Sequence, residues 1–274
     1  MGAFTHDGRR LSYAEYGTGE RPVVLLHGLL LSKRMHEPLA QALAARGNRV
    51  ITLDLLGHGE SERPRDASSY SMTAFGEQLI GLLDHLEIDR AVVLGTSLGA
   101  NTTLEAAVLA PERLRGMVIE MSVLDGALVA SVLTFLPPML TLKYLTPLMR
   151  VVQVGARAVP REPLGVLGNI VVDTIRQDPG PSAAVLEGLI FGRIAPSRAQ
   201  RRRIETPALV IGHPRDPIHP FSDAGMLADE LPNGRLLEAS SILELRVAPD
   251  RLTGEIADFV DRCYGSFQGV TAVA

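Results

Sequence analysis

The chain is poor in cysteine. Cys263 stands alone, which excludes an internal disulfide framework and a multi-cysteine zinc site and fits a reducing compartment. Excess positive charge is also missing. The 27 Lys and Arg against 31 Asp and Glu leave −4, a poor match to a nucleic-acid backbone. Met1 to Asp7 contain no apolar run of the kind that opens a signal peptide. His6 stands where a myristoylation signal needs Ser or Thr. There is no internal repeat, no low-complexity tract, no P-loop pattern, no H-E-x-x-H and no G-x-G-x-x-G after a strand. An uncharged stretch, Ala127 to Leu142, is split by Pro137-Pro138 and followed by Lys143 and Arg150. Neither half approaches the ~20 apolar residues of a membrane span. These absences leave a cytoplasmic globule as the expectation, with no metal, no organic cofactor, no nucleic-acid partner and no integral membrane segment.

What is present is globular. The 274 residues are 46% apolar and 21% charged, enough for one large α/β domain or two small ones. Asp7-Gly8 between short β-type stretches predicts a tight hairpin. Four-residue apolar runs then alternate with amphipathic segments. Val23–Leu26 precedes a helix over about 36–46, and Val50–Leu53 precedes Phe75, Leu79, Leu82, Leu83 and Leu86 at helical spacing. Ala91–Leu94 leads into a helix over 98–109. Runs apolar on both faces and separated by helices predict a mostly parallel sheet covered on both sides. The rhythm breaks over 126–204, where an apolar helical insert is expected. It resumes with Ala208–Ile211, a helix near 221–231, Arg235–Glu238 and a helix over about 249–263.

The strongest chemical signal is Gly95-Thr96-Ser97-Leu98-Gly99-Ala100, at the junction of a predicted buried strand and a predicted helix. Such a turn strains its central residue, and small neighbours avoid a clash. Ser97 is then presented at a helix N-terminus, where the dipole favours developing negative charge. His27-Gly28-Leu29-Leu30 and Asp54-Leu55-Leu56-Gly57-His58-Gly59-Glu60-Ser61 precede it in the chain.

Together with Ser97, these motifs resemble the α/β-hydrolase fold family across essentially the whole chain outside the insert. The resemblance implies core segments 1–125 and 205–274, a helical lid over 126–204, and Ser97 as nucleophile. It also implies an oxyanion hole from the backbone N–H groups of Leu29 and Leu98. His27 and His58 take loop-bracing positions. Ile211-Gly212-His213-Pro214-Arg215-Asp216-Pro217 is similar to the strand end that carries the family's acid, which makes Asp216 that residue; Glu120 is a second candidate. A serine at position 97 points away from dehalogenase and epoxide-hydrolase chemistry, whose family members use an aspartate there.

The family's base, a histidine after the last strand, has no counterpart. His219 is the last histidine, residues 220–274 hold none, and Ile242 occupies the expected position. A neutral serine needs a neighbouring proton acceptor. Three possibilities stand open: His219, able to pair with Asp216 three residues earlier if that segment is helical; a carboxylate, Glu244 or Glu238; or no base at all. The leading expectation is hydrolysis of an ester or related acyl bond in a mainly apolar small molecule, with Ser97, Asp216 and His219 as catalytic residues. The alternative is a member that binds or rearranges an apolar ligand without hydrolysis. Arg201-Arg202-Arg203 reads as a solvated or salt-bridged hinge.

Overall fold

A computed structural model describes residues 1–124, 126–160 and 165–265. Residue 125 (at the expected boundary between core and insert), residues 161–164 of the insert and residues 266–274 of the second core segment lie outside the described residues.

Strands β1 (Gly2–His6) and β2 (Arg9–Tyr16) form an antiparallel hairpin. Its turn places Asp7 and Gly8 at φ 47 and 72, the paired positive angles that suit a two-residue connection. The chain continues through β3 (Arg21–Leu26), α1 (Glu37–Ala45), β4 (Asn48–Asp54), α2 (Met72–His85), β5 (Ala91–Thr96), α3 (Leu98–Leu109) and β6 (Leu114–Glu120). Among the described residues five helices follow: α4 (Leu128–Tyr144), α5 (Thr146–Arg157), α6 (Gly165–Ile175), α7 (Pro179–Ile190) and α8 (Arg198–Arg201). Then come β7 (Ala208–Gly212), α9 (Phe221–Glu230), β8 (Gly234–Glu238), α10 (Glu244–Val247) and α11 (Asp250–Cys263).

The eight strands of the described residues make one sheet in the order β1-β2-β4-β3-β5-β6-β7-β8. From β4 to β8 every pairing is parallel. Alternate residues of one strand feed two separate cores. In β3, Val24 and Leu26 pack on one face and Val23 and Leu25 on the other, all without solvent exposure. Period-two alternation between two apolar layers is why these runs are apolar apart from Thr52. Each such side chain contributes about 1.5–3 kcal/mol on burial.

One expectation is corrected. Pro137 and Pro138 do not split the apolar stretch: both lie inside the 17-residue α4. Their missing N–H groups free the carbonyls one turn earlier, at Leu133 and Thr134. Both residues are exposed, so water can satisfy those groups. Among the described residues no single helix is long and apolar enough to cross a membrane, and α4 and α5 bend by 97° where they meet. In the arginine run, Arg201 is buried and its guanidinium donates to Glu230 (2.6 Å) and the Pro196 carbonyl (2.8 Å), the salt-bridged form of the expectation, while Arg202 and Arg203 are exposed.

Candidate active site

The bend between β5 and α3 holds Ser97 at φ 53, ψ −109, the strained region that a non-glycine residue occupies only when its surroundings force it. Those surroundings require glycine on either side. A Cβ on Gly95 would stand 2.0 Å from the Gly99 carbonyl oxygen, and one on Gly99 would stand 2.3 Å from that of Leu26. The bend is tied to the sheet by the Ser97 amide donating to the Glu120 carbonyl (2.9 Å) and the Gly99 amide to that of His27 (3.1 Å).

Ser97 Oγ lies 3.1 Å from His219 Nε2. His219 Nδ1 donates to Asp216 Oδ2 (2.9 Å). An ionised carboxylate only accepts, so the ring proton sits on Nδ1 and leaves Nε2 free to accept the serine hydroxyl. Asp216 Oδ1 accepts the amides of Ile218 (2.8 Å) and His219 (2.9 Å). Burial pushes the Asp216 carboxyl up, but the bonds from the His219 ring and the two amides outweigh it and hold the group below its ordinary value. Side-chain exposure is 5% for Asp216 and 12% for His219. The Asp–His pairing needs no helix, contrary to the condition stated from sequence. Pro214 and Arg215 form a turn and residues 217–219 a bend, and the aspartate closes a tight turn over its own following amides. Arg215, at φ 63, turns the chain into it.

The loop after β3 lies against the same bend, since a Cβ on Gly28 would stand 3.8 Å from that of Ser97. Leu98 opens α3, so its amide has no acceptor within its own helix. Leu29, Ser97 and Leu98 line one hollow of about 540 Å³, part of it open to solvent. Its remaining wall is apolar apart from Asn101 and Ser131, and the insert supplies Val132, Phe135, Leu186, Leu189, Ile190 and Ile194.

The other candidates stand elsewhere. Glu120 accepts from Thr96 and from Arg246 (2.9 Å), with His213 at 3.4 Å. Burial raises its carboxyl, but Arg246 and His213 together bring it well below the ordinary range. It is therefore committed away from His219. Glu244 accepts from Arg251 (2.8 Å) and the Ser240 amide, and the Glu238 carbonyl accepts from Arg251 (3.1 Å). His27 and His58 are fully buried, 4.8 Å apart between ring centres, and bonded to main chain at Gly28, Leu55 and Leu56. Burial drives both rings toward the neutral form. The Thr96–Glu120–Arg246 cluster beneath Ser97 had no sequence signal beyond Glu120 at a strand end, because Arg246 reaches it from 126 residues away.

A family model described as the α/β hydrolase fold matches residues 21–240. Among curated proteins, the chain is 37% identical over 114 residues to a putative non-heme haloperoxidase of Mycobacterium phage D29, covering 41% of this chain and 40% of that one. It is 35% identical over 114 residues to the 2-hydroxymuconate semialdehyde hydrolase of Pseudomonas sp. (strain CF600), with the same coverage of 41% and 40%. The chain thus spans about two fifths of the length of these relatives. The crystal structure of the enol-lactonase from Burkholderia xenovorans LB400 is similar in fold, with a TM-score of 0.75 at 23% identity over 94% of this chain and 99% of that one.

Proposed function

The chain belongs to the α/β hydrolase fold family, and from that premise we propose that it is a serine hydrolase acting on an ester or related acyl bond of a mainly apolar small molecule. The observation that carries this reading is the hydrogen-bonded chain Ser97–His219–Asp216 at a strained bend beside an apolar hollow. Ser97 Oγ attacks the carbonyl carbon while His219 Nε2 takes its proton. The carbonyl oxygen becomes an oxyanion held by the Leu29 and Leu98 amides, a type of contact whose loss costs ~10²–10³ in rate. Protonated His219 then gives its proton to the leaving alkoxide, and an acyl-serine remains. Water, deprotonated by the same ring, releases the acid and restores Ser97. Asp216 keeps Nδ1 protonated and offsets the imidazolium charge.

The helical insert serves as a lid over the hollow, and its Val, Leu, Ile and Phe side chains favour an apolar substrate. The alternative, a member that binds or rearranges an apolar ligand without hydrolysis, drew its main support from the missing C-terminal histidine, and the 3.1 Å contact of His219 with Ser97 favours the hydrolase reading. The test is a serine-reactive phosphonate read by intact mass. The wild type gains one adduct and Ser97→Ala gains none. Absence of labelling in the wild type across about pH 6–9, where a His–Ser pair should be active, would contradict the reading.

A further inference from the structure

Besides the side chains that line the Ser97 hollow, the insert carries large apolar side chains that are exposed. On α4, Val129, Leu133, Leu140 and Tyr144 are 70, 69, 41 and 71% exposed. Their spacings of four, seven and four residues form one stripe along a helix. On α5, Leu148, Val151 and Val154 are 59, 70 and 64% exposed. Large exposed apolar patches mark interaction sites. Within α4, α5 and their flanks the charge is one-sided: residues 126–160 hold Lys143, Arg150 and Arg157 and no Asp or Glu, in a chain of net charge −4. Lys143 is held by Glu187 of α7 (2.8 Å). Arg150 and Arg157 are exposed, lie seven residues apart on one side of α5, and enter no ion pair among the described residues.

We infer that α4 and α5 form a docking surface for a lipid bilayer with anionic headgroups. The apolar side chains enter the boundary between headgroups and acyl chains, and Arg150 and Arg157 meet lipid phosphates. A second copy of the chain fits this surface poorly. A two-fold contact would set the same basic groups against each other with no carboxylate from this stretch to meet them. The inner side of α4 carries Val132 and Phe135 into the wall of the Ser97 hollow, so one helix borders both the bilayer and the cavity. The inference does not rest on the acyl chemistry, because binding is measured without turnover.

The whole chain is spun down with vesicles of phosphatidylcholine alone and of phosphatidylcholine mixed equally with phosphatidylglycerol. Binding is expected to the mixed vesicles and to weaken with salt. Arg150→Gln should weaken it about fivefold, and Leu133→Glu or Val151→Glu about tenfold or more. Circular dichroism and the thermal midpoint should stay at wild-type values, since all three side chains are exposed. Three results overturn the inference. They are no wild-type binding to the mixed vesicles, binding unchanged in both Glu variants, and a wild-type dimer in sedimentation velocity that Leu133→Glu disperses.

Discussion

Two neighbouring loops leave the same edge of the sheet, one after β7 and one after β8, and they serve Ser97 differently. The first brings Asp216 and His219 within three residues of each other and sets the ring against the serine hydroxyl. The second has no histidine, leaves Ile242 and Leu243 38 and 42% exposed, and leads into α10. From there Arg246 reaches Glu120 and Thr96 beneath the bend. What matters to Ser97 is where an imidazole nitrogen ends up and what fixes its tautomer, and here the β7 loop delivers both. The loop that does not deliver them supplies a buried ion pair instead.

The contrast can be broken from either side. The largest effect is expected from moving the ring. His219→Ala should lower kcat on a short-chain aryl ester by about 10⁶, and adding Ile242→His should not restore it, because the amides of residues 218 and 219 keep the Asp216 carboxylate turned to the ring position of its own loop. Recovery in the double variant would mean that the β8 loop can serve as well. Asp216→Asn leaves the ring in place but stabilises the wrong tautomer, so kcat should fall about 10⁴-fold with an unchanged circular dichroism spectrum. On the other loop, Arg246→Met should cost about 3–5 kcal/mol in urea unfolding, since Glu120 is left charged and 1% exposed. The smallest effect concerns His213. Burial pushes its ring down, but the Glu120 carboxylate outweighs this and the net direction is up from the ordinary value near 6.5. The stabilisation is therefore complete below about pH 6.5 and fades as pH rises past the raised value. The stability gap between wild type and His213→Gln should narrow from about pH 6 to about pH 9; a gap that widens would reverse the assigned direction.

The core was legible because its strands must be apolar on both faces. The runs at 23–26, 50–53, 91–94 and 208–211 all fall within strands, and the bend at Ser97 was marked by glycines that the packing demands. The insert was less legible. Prolines read as a break sit inside α4, because its exposed turn can leave carbonyls to water. The Asp216–His219 contact was only one of several options from sequence, since a three-residue spacing says nothing about the side-chain-closed turn that unites the pair. Arg246 was invisible: a long-range ion pair has no local pattern.

The most direct measurement is a crystal structure of the protein phosphonylated at Ser97. The account predicts phosphorus on Ser97 Oγ, His219 Nε2 within hydrogen-bond reach of it with Nδ1 still on Asp216, and one phosphonyl oxygen about 2.7–3.1 Å from the Leu29 and Leu98 amides. An adduct with His219 turned away and another side chain facing the phosphorus would contradict it.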